Sequence, residues 1–141
     1  MFRSVLTKKA SGTTENLCLL INPIGNTNSA KFIFFNLEFD SKDNSIWEIY
    51  RNQTIVSNGT LINTVKLDGT ATNTIELYKN PTIISFGRFV RKFMLPTSTK
   101  EFSTNAPIAR LEPGDSLILR RISDNTGNII NTWIWQEIET N

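Results

Sequence analysis

"KFIFFNLEF", residues 31–39, sets Phe32 and Phe34 on one side of an extended chain and, after a one-residue step, Leu37 and Phe39. A period of two belongs to a half-buried strand, because successive Cβ atoms of extended backbone point to opposite faces. "SLILRRI" from Ser116 and "NTWIWQEIE" from Asn131 carry the same β-branched and aromatic content. Between such runs stand turn clusters: "NPIGNTNS" at Asn22, "DSKDNS" at Asp40, "SNG" at Ser57, "DGTATN" at Asp68, "EPGD" at Glu112 and "SDNTGN" at Ser123. Turns recurring every 10 to 20 residues or so are the rhythm of antiparallel β-structure rather than of βαβ units. The pattern predicts an all-β chain without helix, folded as a jelly-roll-like antiparallel β-sandwich. One domain spans residues 1–141, with 1–16 read as an extended N-terminal arm. "MLPTSTKEFSTNAPIARL", Met94 to Leu111, reads as a long crossover loop between sheets.

At 141 residues the chain can remove roughly 70% of its unfolded surface from water without staples. It contains no histidine, which removes the usual general base and the commonest metal ligand together. Its single cysteine, Cys18, lies in the apolar run "NLCLLI" and reads as a core residue. No catalytic residue and no cofactor are expected, and the chain is read as not an enzyme. Fifteen basic and thirteen acidic residues are scattered, giving a net charge of +2 without the basic stripe that nucleic acid requires. The apolar runs are too short for a signal-peptide core or a membrane span, so no membrane insertion is expected.

The sequence also repeats itself. "YRNQTIVSNGTL" from Tyr50 and "YKNPTIISFGRF" from Tyr78 share six of twelve positions, 28 residues apart. In each copy Asn52 or Asn80 can close a turn with its side chain, and Pro81 is pre-set for the position that Gln53 fills in the first copy. Thr54-Ile55-Val56 and Thr82-Ile83-Ile84 then read as strands with Ile55 and Ile83 inward. Gly59 and Gly87 permit the reversal that follows. These residues are read as structural turns, two equivalent corners of one sandwich rather than repeats of a solenoid.

Three tryptophans are candidates for a surface role. Trp133 and Trp135 lie two apart on a strand and share a face, so together with Trp47 they can form a glycan-stacking platform or an interface. A buried face of the last strand accounts for the same spacing, and is preferred. Asp40, Asp43 and Asn44 lack the spaced acidic series of a calcium loop. Glu112 and Asp115 flank one Pro-Gly turn and read as turn residues rather than a hydrolytic pair. The sequons at Asn52 and Asn58 read as turn chemistry.

The stretches "LCLLINPIGNTNSAKFIFFNLEF" and "YRNQTIVSNGTLINTVKLDGTATNTIELYKNPTI", with "LEPGDSLIL" near the end, resemble small β-rich virion proteins of tailed bacteriophages. The shared features are a Leu-rich strand with Asn-Pro, an Arg-Asn-x-Thr-Ile segment, an Asn-Gly-Thr hairpin and a second Pro-Thr strand. Gln53 departs from the pattern, which prefers proline there. The resemblance implies a capsid-decoration, head-fibre or tail-associated protein, located in the virion and assembled in the host cytoplasm. Its implied partners are other capsid or tail proteins and copies of itself, a trimer being preferred. The alternative is a carbohydrate-binding β-sandwich module that adheres to host-surface glycan.

Overall fold

In the computed structural model, residues 1–69, 73–97, 101–104 and 110–139 are described. The strands are β1 (Phe2–Lys9), β2 (Glu15–Ile21), β3 (Asn28–Phe39), β4 (Ser45–Arg51), β5 (Thr54–Ser57), β6 (Thr60–Ile62) and β7 (Thr64–Lys66). They continue as β8 (Glu76–Lys79), β9 (Thr82–Ser85), β10 (Arg88–Leu95), β11 (Glu101–Thr104), β12 (Arg110–Leu111), β13 (Ser116–Arg121) and β14 (Asn128–Glu139).

Pairing is nested from the ends of the chain inward. β1 pairs with β14, β2 with β13, β3 with β11 and β4 with β10, all antiparallel. Because β3 also pairs with β14 and β4 with β13, this ribbon wraps into two sheets, β1-β14-β3-β11 and β2-β13-β4-β10. That is the jelly-roll order. The connection from β4 to β10 extends both sheets: β7 adds to β1, and β8 followed by β6 adds to β2. β5 and β9 form a separate two-stranded ribbon.

The core lies between the two sheets. Phe2, Phe32, Phe35, Leu37, Trp133 and Trp135 come from one sheet, and Leu20, Trp47, Ile49, Leu77, Leu117 and Leu119 from the other. Aromatic rings meet edge-on or tilted, as their quadrupoles favour: Phe32 against Trp133 at 5.4 Å, Phe35 against Trp133 at 4.7 Å, and Phe39 against Trp47 at 5.8 Å.

Four expectations are corrected. Residues 2–9 are not an arm: β1 is paired along its whole length with β14, and Phe2 and Leu6 are buried. In "KFIFFNLEF" the change of face falls at Ile33, where the β3–β14 register shifts, so Phe35 rather than Phe34 joins Leu37 and Phe39 inside. A bulge adds one residue to one strand and flips every side chain beyond it. The Met94–Leu111 segment contributes the end of β10, β11 and β12, the last two bordering β3. Its residues 98–100 and 105–109 lie outside the described residues, as do 70–72 of the "DGTATN" turn. Ile55 and Ile83 are half-buried rather than buried.

Candidate functional site

The repeated sentence builds one feature. Under a shift of 28 residues, copy one (β4, β5, β6) maps onto copy two (β8, β9, β10), and the two copies interlock. β6 of the first pairs with β8 of the second, and β10 of the second pairs with β4 of the first. In the ribbon, Thr54 pairs with Ser85 and Ser57 with Thr82, with Ile55 opposite Ile83 at the centre. A pseudo-two-fold axis through that centre relates the copies.

The corners follow from backbone chemistry. Asn52 and Asn80 both hold positive φ, 61° and 57°, a region that Asn tolerates better than most residues. The Asn52 amide donates to the Ser116 carbonyl at 2.9 Å, and the Asn80 amide donates to the Leu17 carbonyl at 3.1 Å. Each corner is thereby tied to one of the two central strands. Gly59 lies directly against the Lys79 carbonyl, and Gly87 against the Arg51 carbonyl, so each copy's glycine admits the other copy's corner. Pro81 is buried, while Gln53 uses the side chain that proline lacks. The Gln53 amide donates to the Phe86 carbonyl at 2.9 Å and its oxygen accepts from the Ser116 hydroxyl at 2.9 Å.

Phe89, Tyr50, Ile118, Leu19, Tyr78 and Leu61 stand in one row across β10, β4, β13, β2, β8 and β6. Ile118 and Leu19 are fully buried yet lie outside the cluster between the sheets. The row therefore occupies the outer face, where Leu19 and Ile118 need a cover other than the opposite sheet, and Ile55 and Ile83 are the half-buried side chains of the separate β5–β9 ribbon. The ribbon's other side leaves Val56 62% and Ile84 75% exposed, and the ends of the row leave Leu61 58% and Phe89 53% exposed. These four side chains form two pairs related by the pseudo-two-fold axis. Beside Phe89, Tyr50 touches Phe86 and Phe89 at 5.5 and 5.6 Å, and the Arg120 guanidinium lies 3.9 Å above the Phe86 ring. Burial and the nearby Glu48 carboxylate push the Tyr50 phenol up, so it stays protonated and donates to Glu48 at 3.0 Å.

The tryptophans are elsewhere. Trp47, Trp133 and Trp135 are all buried, and each indole N–H donates to a residue two positions away: Ser45 at 2.8 Å, Asn131 at 2.6 Å and Glu137 at 3.2 Å. They are core residues with satisfied donors, and no sugar can stack on them in this fold. Cys18 is buried beside Asn131, and burial pushes its thiol up to about 12, which makes it inert as a nucleophile.

The carboxylates are structural too. Glu15 accepts from Lys8 and from the fully buried Arg121, whose guanidinium also donates to the Thr13 carbonyl. Burial pushes the Glu15 carboxyl up, but hydrogen bonds from Lys8, Arg121 and the Ser11 amide outweigh it and hold it below its ordinary range. Asp115 closes its turn by accepting from the Glu112 amide at 3.0 Å and pairs with Arg51 at 2.5 Å. Burial raises it as well, and the Glu112 amide and Arg51 pull it net downward. Asp40 accepts from the Asn128 backbone amide and, at 3.2 Å, its side chain. Among the described residues no three Cys, Asp or Glu side chains are grouped to hold a metal ion.

No protein-family model matches the chain, and no curated protein matches its sequence. Among solved structures it is similar to a chain in the structure of infectious bursal disease virus Gt strain, at 12% identity and a TM-score of 0.19. That alignment covers 99% of this chain and 42% of the other, so this chain spans less than half the length of the protein it matches. At such a TM-score the likeness carries no weight.

Proposed function

We propose that this chain is a virion structural protein of the capsid-decoration, head-fibre or tail-associated kind, docking on other virion proteins and on copies of itself. The observation that carries the proposal is the paired apolar surface of Val56, Ile84, Leu61 and Phe89, set where the jelly-roll ribbon turns over. Isolated exposed apolar side chains are ordinary, but a two-fold arranged set, Val56 and Ile84 on the β5–β9 ribbon and Leu61 and Phe89 at the two ends of the row, is suited to contact. The jelly roll supports the reading in a limited way, since capsid and lectin domains both use it and a fold alone does not choose a function. The virion is named by the resemblance of residues 17–84.

Self-association does not rest on open edges of the longest apolar strands. "KFIFFNLEF" and "NTWIWQEIE" are central strands paired with each other, not open edges. The long edge strand is β10, and it carries exposed Arg88, Arg91 and Lys92 and a register shift at Val90, features that discourage edge-to-edge pairing. Assembly, a trimer included, therefore falls to the apolar ribbon. A sugar-binding role would have to rest on Phe89, because the tryptophans are enclosed.

The test is sedimentation of the purified chain, together with immunogold labelling of particles from the infected culture that encodes it. A homo-oligomer and labelled particles are expected, both lost in the double variant Val56→Asp, Ile84→Asp with its melting temperature unchanged. A monomer absent from particles, or saturable binding on a glycan array that Phe89→Ala removes, would overturn the proposal.

A further inference from the structure

We infer that the free half of the β1 edge, residues 5–9, receives an acidic, extended peptide segment as an added strand. β7 pairs with β1 only at Phe2, Arg3 and Ser4. There the chain turns away: the Asn63 carbonyl accepts from the Ser4 hydroxyl at 2.8 Å, and β6 joins β8 in the other sheet. Among the described residues no strand pairs with residues 5–9 on that side, β6 coming near β1 without joining its ladder. Alternate backbone N–H and C=O groups of this stretch therefore face outward with strand spacing.

A groove of about 540 Å³ lies beside this stretch, lined by Thr7, Lys8 and Lys9 of β1, by Lys79 and, across β1 from the free edge, by Asn128, Ile129 and Ile130 of β14. Its charge is one-sided. Lys8 is taken up by Glu15 and the Asn80 side-chain oxygen, whereas Lys9 and Lys79 have no acidic partner among the described residues. Val5, 41% exposed, adds an apolar side chain on the half-edge itself. A strand of five residues spans about 16–17 Å, enough to cover the open half-edge. Main-chain pairing would supply affinity, acidic side chains would meet Lys9 and Lys79, and β-branched ones would lie beside Val5.

A second copy of this edge is a poor occupant, because residues 5–9 of each copy carry two lysines and no acidic residue, so the shared ladder would collect like charge with nothing to meet it. A sugar or a nucleobase is also a poor fit, because the lining holds no aromatic ring to stack on. The inference is independent of whether the chain belongs to a virion.

The experiment is selection of the full chain against a bead-bound random nonapeptide library, with the Lys9→Glu, Lys79→Glu double variant as counter-target. Both lysines lie outside the core, so the variant keeps its fold, checked by its circular dichroism and melting temperature. Enriched peptides should alternate Asp or Glu with Val, Ile or Thr. Their fluorescent copies should bind wild type and lose about tenfold in affinity, or more, on the variant. Methylating alternate amide nitrogens of the peptide should abolish binding in one of the two registers, since it removes the ladder and leaves the charge. No enrichment, enrichment of basic or proline-rich sequences, equal binding to the variant, or equal binding by both methylated forms would overturn the inference. So would full competition by a sulfated oligosaccharide at the peptide's own concentration.

Discussion

Gly59 and Gly87 are held by two separate costs, and the structure provides a control that separates them. A Cβ at Gly59 would meet the Lys79 carbonyl oxygen at 2.1 Å, and one at Gly87 the Arg51 carbonyl oxygen at 2.2 Å. Both glycines also have positive φ, 94° and 78°. Gly25 shares the positive φ, 94°, but has nothing within 4 Å. Gly25→Ala should therefore cost only the left-handed backbone penalty, about 1 kcal/mol. Gly59→Ala and Gly87→Ala should add an overpacking cost and lose roughly 2–4 kcal/mol each, read by urea denaturation. Glu15 sets a second residue-scale expectation. Its carboxyl and that of Asp115 titrate lower in the folded than in the unfolded chain. Their stabilisation is thus complete above the unfolded range of about 4–4.5 and is lost as pH falls through the lower folded values. Glu15→Gln should leave Arg121 as an uncompensated buried charge, cost about 3–5 kcal/mol at neutral pH, and flatten the acid limb of a stability-against-pH curve.

At the scale of elements, the ribbon is the part of the molecule that most depends on interlocking. Ile55→Ala or Ile83→Ala should cost roughly 1–2 kcal/mol, below the full-burial range, because each side chain is only half enclosed. The two losses should be non-additive, since the residues face each other across the pseudo-two-fold axis, and a double-mutant cycle measures the coupling. Much of this element was legible in the sequence. Asn52, Gly59, Asn80 and Gly87 stand where backbone of positive φ is needed, and that need is local. What lay beyond reach was non-local: that Leu19 and Ile118 require a cover outside the main core, and that the copies exchange strands. The tryptophan spacing fixed a shared face but not its neighbour, because two-residue periodicity is the same for a face turned to solvent and one turned to a second sheet. The step in "KFIFFNLEF" was visible but misplaced, since a bulge is set by the partner strand's register.

For the whole molecule, the nested pairing makes the two ends of the chain each other's partners. β1 joins β14 across nearly the full length of the sequence, with Phe2 opposite Trp135 and their rings 6.2 Å apart. An antiparallel ladder of this kind closes the longest loop in the protein, so folding is expected to be slow, in the millisecond-to-second range of sandwich topologies. The N-terminal strand then decides whether the fold is completed at all. If residues 1–9 were an appended arm, removing them would leave a stable sandwich. As β1 they cover one side of β14 and contribute Phe2 and Leu6 to the core. Their loss would also detach β7 and expose the β14 ladder, a long, aromatic-rich edge with the features of an aggregation template. A chain lacking residues 1–9 should therefore be insoluble or lose its cooperative thermal transition. Lys9→Glu, at the end of the same strand, should melt within about 0.5 kcal/mol of wild type, the scale of exposed surface substitutions. A truncated chain that remains soluble and melts cooperatively would show that the two sheets close without β1.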